Sequence, residues 1–137
     1  MKEIYSYMAG ILDGEGSILL QRISRNCFRS PVVSISNNDM NIINLFKDTY
    51  GGTMVKKKIY KENHEQSYEW RITYNGAIDV LKSLLPYMRH KEKIRRANLI
   101  INTYPLVTKR NGKYTETELK AKLDFEYEFF HPSITIE

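Results

Sequence analysis

The 137-residue sequence holds a single cysteine, Cys27, so no internal disulfide framework supports it. No run approaches the roughly 18 apolar residues that a membrane span needs. There is no signal-like N-terminus. Together with the scarcity of cysteine, this points to an intracellular, reducing compartment, either cytoplasm or an organelle matrix. Low-complexity segments and clear repeats are also missing, although a ββα unit occurs twice. One absence is local: no acidic residue lies between Glu15 and Asp39, while Arg22, Arg25 and Arg29 fall inside that gap.

The hydrophobic fraction of 42% and charged fraction of 27% are those of a globular protein and not a disordered one. The length suits one domain over residues 1–137. The net charge of +5 is unevenly spread: residues 116–137 carry −4, which leaves +9 on the rest. A basic body with an acidic tail suggests a polyanionic partner. The plainer alternative is a solvated basic face.

Apolar spacing at Ile4, Tyr7, Met8, Ile11 and Leu12 predicts a helix over 3–13, ended by Gly14 and Gly16. Residues 17–25 and 30–37 read as strands. Asn38 or Asp39 caps a second helix that Gly51-Gly52 stops. Residues 53–60 and 67–74 read as two more strands around a polar turn at 61–66. Asn75-Gly76 reads as a turn before a short helix at 77–85. A helix at 91–104 is ended by Pro105, and a last one spans 115–129, with Thr115 and Glu118 spaced as a capping box. The order α-ββ-α-ββ-α-α-α predicts a mixed α+β fold: one four-stranded antiparallel sheet with helices on one face.

The segment Met8-Ala9-Gly10-Ile11-Leu12-Asp13-Gly14-Glu15-Gly16 is unusual. Ser6, Gly10 and Asp13, with Ala9 beside them, form a stripe that lets another backbone approach closely. Asp13 and Glu15 sit at a helix C-terminus, where the macrodipole disfavours acids. An acid held there calls for a cation, and hard divalent ions take carboxylate and carbonyl oxygens. An EF-hand is excluded, because its glycine and glutamate positions would be Ile18 and Ser24. A plain helix cap followed by an acidic turn is the competing explanation.

The nonapeptide resembles the motif of the LAGLIDADG homing endonucleases, and Ser17-Ile18 resembles that family's first strand. The element order matches over 3–104, with 105–137 as a C-terminal helical extension. The resemblance implies a metal-dependent, site-specific DNA endonuclease. It assigns Glu15, with the backbone carbonyl of Gly14, to a catalytic Mg²⁺ (or Mn²⁺, with Ca²⁺ in a non-cleaving complex). A single motif per chain implies a homodimer built on Ser6, Ala9, Gly10 and Asp13, with Asp13 structural and not a ligand, reading a near-palindromic double-stranded site. Lys91, after Pro86-Tyr87-Met88-Arg89-His90, matches a lysine that reaches the active site, and Asn37, or Asn38, a polar residue that holds water. A non-cleaving intron RNA maturase or DNA-binding regulator of the same fold is the alternative, as is a dimeric interaction protein of incidental basicity.

Lying across a DNA groove, such a sheet would present one polar face and pack the other. Strand parity nominates Gln21, Ser34, Ser36, Lys56, Lys58, Glu69, Arg71 and Thr73 for DNA. Of these, Gln21, Lys56, Lys58 and Arg71 are candidates to read bases. Arg22, Arg25 and Arg29 are placed in or beside the first hairpin's connection as backbone contacts.

Overall fold

The computed structural model describes residues 2–22, 24–59 and 65–132. Its elements run α1 (Lys2–Glu15), β1 (Gly16–Gln21), β2 (Ser30–Asn37), α2 (Met40–Tyr50), β3 (Thr53–Lys56), β4 (Tyr68–Thr73), α3 (Tyr74–Leu84), a 3-10 turn (Leu85–Tyr87), α4 (Lys91–Val107) and α5 (Glu116–Phe130). This is the expected α+β order. Most of the expected turn at 61–66, and Tyr60 and Glu137, lie outside the described residues. The strands form one sheet in the order β1-β2-β4-β3, every neighbouring pair antiparallel.

Residues directly opposite one another in an antiparallel pair share a face. Ile18, Val33 and Ile72 make one row across three strands, and Ile35, Trp70 and Met54 make another. Ile18, Val33, Ile35, Trp70 and Ile72 join Met8, Leu12, Phe46, Leu81, Leu84, Ala97 and Ile100 from the helices in one core. Each fully buried aliphatic side chain there contributes about 1.5–3 kcal/mol. Trp70 anchors β4: its Nε1 donates to the Gly51 carbonyl at 2.8 Å, and its ring centroid lies 5.1 Å from that of Phe46. Gly52 is needed beside it, since its φ is +89° and a Cβ would sit 2.6 Å from the Arg71 carbonyl.

Several expected boundaries move; β1 ends at Gln21, short of the expected residue 25, and β3 ends at Lys56, short of the expected residue 60. α1 does not stop at Gly14 but runs through it to Glu15, and β1 starts at the next residue. Gly16 is required by packing and not by a left-handed turn: a Cβ there would collide with the Leu12 side chain, lie 2.7 Å from Ile35 Cδ1 and 2.9 Å from the Leu12 carbonyl. α3 begins at Tyr74, whose φ of +54° bends the chain from strand into helix without the Asn75-Gly76 turn. Pro105 lies inside α4, which ends at Val107. The caps at Asp39 and Thr115 form as expected, the latter with its complete capping box.

α5 is held to the rest of the chain by charged groups as well as by Phe125 and Phe129. Arg95 of α4 donates to the last carbonyls of α5, Glu128 at 3.1 Å and Phe129 at 2.7 Å. Glu92 accepts from both Arg95 and Arg96. These hydrogen bonds, Arg95's first, hold its carboxyl down to about 2. Lys122 is buried at 1% exposure, its Nζ donating to Thr108 Oγ1 at 2.7 Å and lying 4.4 Å from the Tyr104 ring centre. Burial lowers its pKa, with the charge of Glu126 acting in the other direction.

Candidate active site and nucleic-acid face

α1 turns Met8, Ala9 and Leu12 into the core. Ala9 is fully buried within its own chain, so the expectation that it lies on a dimer interface is corrected. Ser6, Tyr7, Gly10 and Gly14 form the exposed side of the helix. No atom lies within 4 Å of where a Cβ would stand on Gly10 or Gly14. The chain's own packing therefore gives no reason for glycine there. Ser6 and Gly10 border a recess that Asp13, Pro86, Tyr87 and Arg89 complete.

Asp13 holds the chain together at this recess, the structural role expected of it. Its carboxylate accepts from the backbone N–H of Arg89 at 2.8 Å and of His90 at 3.3 Å, just ahead of α4. A reciprocal tie runs back. Lys93 Nζ donates to the carbonyls of Leu12 at 2.9 Å and Asp13 at 2.6 Å, two of the groups that a helix end leaves without partners. A cation at a helix C-terminus also opposes the negative end of the macrodipole. Burial lowers the Lys93 pKa, and the charge of Asp13 partly restores it. The end of α1 and the start of α4 are thus stapled together from both sides.

Glu15 emerges from that staple as the exposed last residue of α1. Asn37, the last residue of β2, donates from Nδ2 to Glu15 Oε2 at 2.5 Å. Its Oδ1 accepts the Asp39 backbone N–H at 2.8 Å, so the amide is oriented at both ends. Asn38 is turned away to Glu65. Lys91, the first residue of α4, is exposed and has no hydrogen bond or ion pair among the described residues. Sequence reasoning singled out Lys91 and passed over Lys93, two places further in the same basic run. His90 caps α4, its Nδ1 accepting from the Lys93 backbone. That cap sets the helix phase, and a reader treating it as fixed could have found Lys93.

The sheet face away from the core carries Ser17, Ser34, Arg71 and Thr53 in one row. Ser36, Glu69 and Val55 form a second row; Leu19, Val32 and Thr73 form a third; and Gln21 pairs with Ser30. Two lysines expected here are elsewhere. Lys56 lies opposite Tyr68, on the same side as Met54 and Trp70, and Lys58 lies beyond the end of β3. The lysine that reaches this face is Lys57, whose Nζ donates to Ser36 Oγ at 3.3 Å. An exposed edge strand offers no buried residue of its own to fix its parity, which is why the pattern misled.

Of the arginines, Arg22 and Arg25 are exposed between β1 and β2. Arg29 is not an open loop contact. Its side chain donates to the Leu20 carbonyl at 3.1 Å and lies 4.7 Å from the Phe130 ring centre, while its backbone N–H donates to Glu126. Among the described residues, no three His, Cys, Asp or Glu side chains gather as a metal cage, and no helix is long and apolar enough to cross a membrane.

No protein-family model and no curated sequence matches the chain. Solved structures do. An archaeal intron-encoded homing endonuclease, I-Vdi141I, complexed with DNA, is similar at a TM-score of 0.63 and 20% identity, over 99% of this chain and 87% of that one. The chain has the LAGLIDADG homing endonuclease fold. Two further proteins of this fold differ in size. I-CvuI, in complex with its target in the presence of 2 mM Ca, is similar at a TM-score of 0.55 and 17% identity, over 89% of this chain and 94% of that one. I-GzeII, in complex with its DNA target, is similar at 0.68 and 13%, over 97% of this chain but only 46% of that one. The chain is therefore about half the length of some structures of this fold and nearly the whole length of others.

Proposed function

We propose that this chain is a site-specific DNA endonuclease that hydrolyses phosphodiesters in both strands, acting as a homodimer with a divalent cation. The observation that carries this reading is Glu15: an exposed carboxylate at the stapled end of α1, oriented by Asn37, beside a polar sheet face. Structures of the same fold solved as DNA complexes support it.

The donor set suits Mg²⁺, a hard ion that keeps several waters and takes one or two carboxylates plus substrate phosphates, not an all-protein cage. Glu15 would hold it together with the Gly14 carbonyl, and no side chain crowds Gly14. When bound, the cation supplies charge stabilisation to the attacking and leaving oxygens. Asn37 keeps the Glu15 carboxylate in place and offers its amide to a nearby water. Lys91 sets an unpaired ammonium where negative charge develops on the phosphate. Lys93 holds the helix end against which these groups are positioned.

One carboxylate per chain leaves the site half built, and a second copy packed on the Ser6–Gly10 strip supplies the other. The resulting C2 interface is isologous, so the target is near-palindromic. Gln21, Ser36, Lys57, Glu69, Arg71 and Thr73 face the bases, whereas Ser34, expected there too, is buried at 5% exposure; Arg22 and Arg25 contact backbone phosphate.

Glu15→Gln should lower cleavage about 10³-fold or more, the scale of losing a charge-stabilising group, with DNA affinity nearly intact. Cleavage of a randomised duplex library in Mg²⁺ measures it, and undiminished cutting would sink the mechanism. Wild-type protein that binds one site and never cuts would instead favour a regulator.

A further inference from the structure

The connection between β1 and β2 stands at the far end of β1 from Glu15. β1 starts at Gly16 and reaches Gln21, about 17 Å away at the rise of a strand. Beyond it, Ser24 and Cys27 close a turn: the Cys27 backbone N–H donates to the Ser24 carbonyl at 3.2 Å, and Arg25 is exposed between them. From Ser24 to Cys27, no group hydrogen-bonds to another element among the described residues. An exposed turn without further ties opens at little cost.

The ties lie at its base, and α5 supplies them. Arg29 is one residue outside the β1–β2 ladder, so its N–H has no strand partner. Glu126 Oε2 accepts that N–H at 3.3 Å. This carboxylate is buried at 7% exposure, and buried acids are rare without a partner. One residue earlier, the Phe28 ring packs on Tyr114, just ahead of α5, with 4.9 Å between ring centroids.

We propose that Glu126 is a positioning residue for DNA binding: by holding the Arg29 backbone it fixes where Arg25 stands, and so how the outer end of each half-site is gripped. This rests on the endonuclease reading above. At about 3.4 Å per base step, a turn beyond Gln21 meets the duplex roughly five base pairs or more from the cut. Ordering the turn in advance removes a cost that binding would otherwise carry. The charge of Glu126 itself repels phosphate, so its service to binding lies in its acceptor oxygen.

The test is the salt dependence of binding by the full chain to a duplex that the wild type selects from a randomised pool. Glu126→Leu removes the acceptor and should reduce the salt slope by about one, so that affinity falls roughly threefold less than the wild type's between about 50 and about 200 mM salt. In an Arg25→Ala background the same change should remove nothing further, because Glu126 acts through Arg25. Glu126→Gln keeps an oxygen for the Arg29 N–H and should restore the wild-type slope. Phe28→Ala loosens the same turn from its exposed side and should reproduce the loss, which supplies the reading if Glu126→Leu folds poorly. An unchanged slope in these loosened variants would overturn the proposal while leaving the endonuclease reading in place. So would a slope reduced as far by glutamine as by leucine, or a further loss in the Arg25→Ala background. A wild type that selects no duplex would overturn both.

Discussion

Two faces of the N-terminal half of α4 handle charge in opposite ways. Along the face toward α5, charges are saturated: Glu92, Arg95, Arg96 and Lys122 each have hydrogen-bond partners inside the chain. On the other face, Lys93 is tied to the end of α1, Lys91 has no hydrogen bond or ion pair among the described residues, and Glu15 at the end of α1 accepts from Asn37. The same residue types thus hold the fold in one place and stand ready for a ligand in the other. What separates them is whether the chain itself satisfies the group. Net charge and sequence proximity say nothing about that.

The contrast breaks most directly at Lys122. Lys122→Ala should destabilise the fold by about 3 kcal/mol, through the cavity and the unpartnered groups it leaves, with little change in cutting per folded molecule. Chemical denaturation beside a cleavage assay would measure both. Next in size is the lysine pair. Lys93→Met should lower the melting temperature and reduce cutting about tenfold to a hundredfold, whereas Lys91→Met should reduce cutting on that scale at an unchanged melting temperature. Equal melting temperatures for the two variants would erase the distinction between them. A smaller effect is expected for the arginines. Arg29→Ala should cost about 1–2 kcal/mol of stability and leave the salt dependence of DNA binding unchanged. Arg25→Ala should leave stability alone and reduce the salt slope by about one.

The smallest effect is acid-dependent. In the unfolded chain the Glu92 carboxyl takes up its proton near 4.5, whereas in the fold it stays ionised to about 2. The folded state binds fewer protons between these values, so this contribution is complete above about 4.5 and lost as pH falls toward 2. The Glu92 side chain is 43% exposed, and solvent screening keeps the effect modest. Glu92→Gln should flatten the stability profile in that window, as thermal melts across pH would show.

The parts of this molecule legible in its sequence are those decided by near neighbours. β2 appears with its expected limits, Ser30–Asn37, and the Thr115–Glu118 capping box forms because both partners lie in one turn. The resemblance pointed to Asn37 as a holder of water, and the hydrogen bond it donates to Glu15 is visible only in the structure. The parts that were not legible depend on distant groups. Gly16 exists for Leu12 and Ile35, so helix-ending rules for glycine misplaced the end of α1. The facing of Lys56 was settled across the sheet by Trp70 and Tyr68. Arg29 was claimed by α5, nearly a hundred residues away, and Lys93 by the end of α1.

The direct passage from Glu15 into β1, with no residue between helix and strand, has a consequence for how such a protein can change. Side chains alternate along a strand, so inserting one residue at that joint would exchange Ser17, Leu19 and Gln21 for Ile18 and Leu20 on the open face. The carboxylate proposed to cut and the strand proposed to read are phase-locked by a single peptide bond. Substitution can retune the reading surface one side chain at a time, but a change in length at this point would scramble cutting and reading at one stroke.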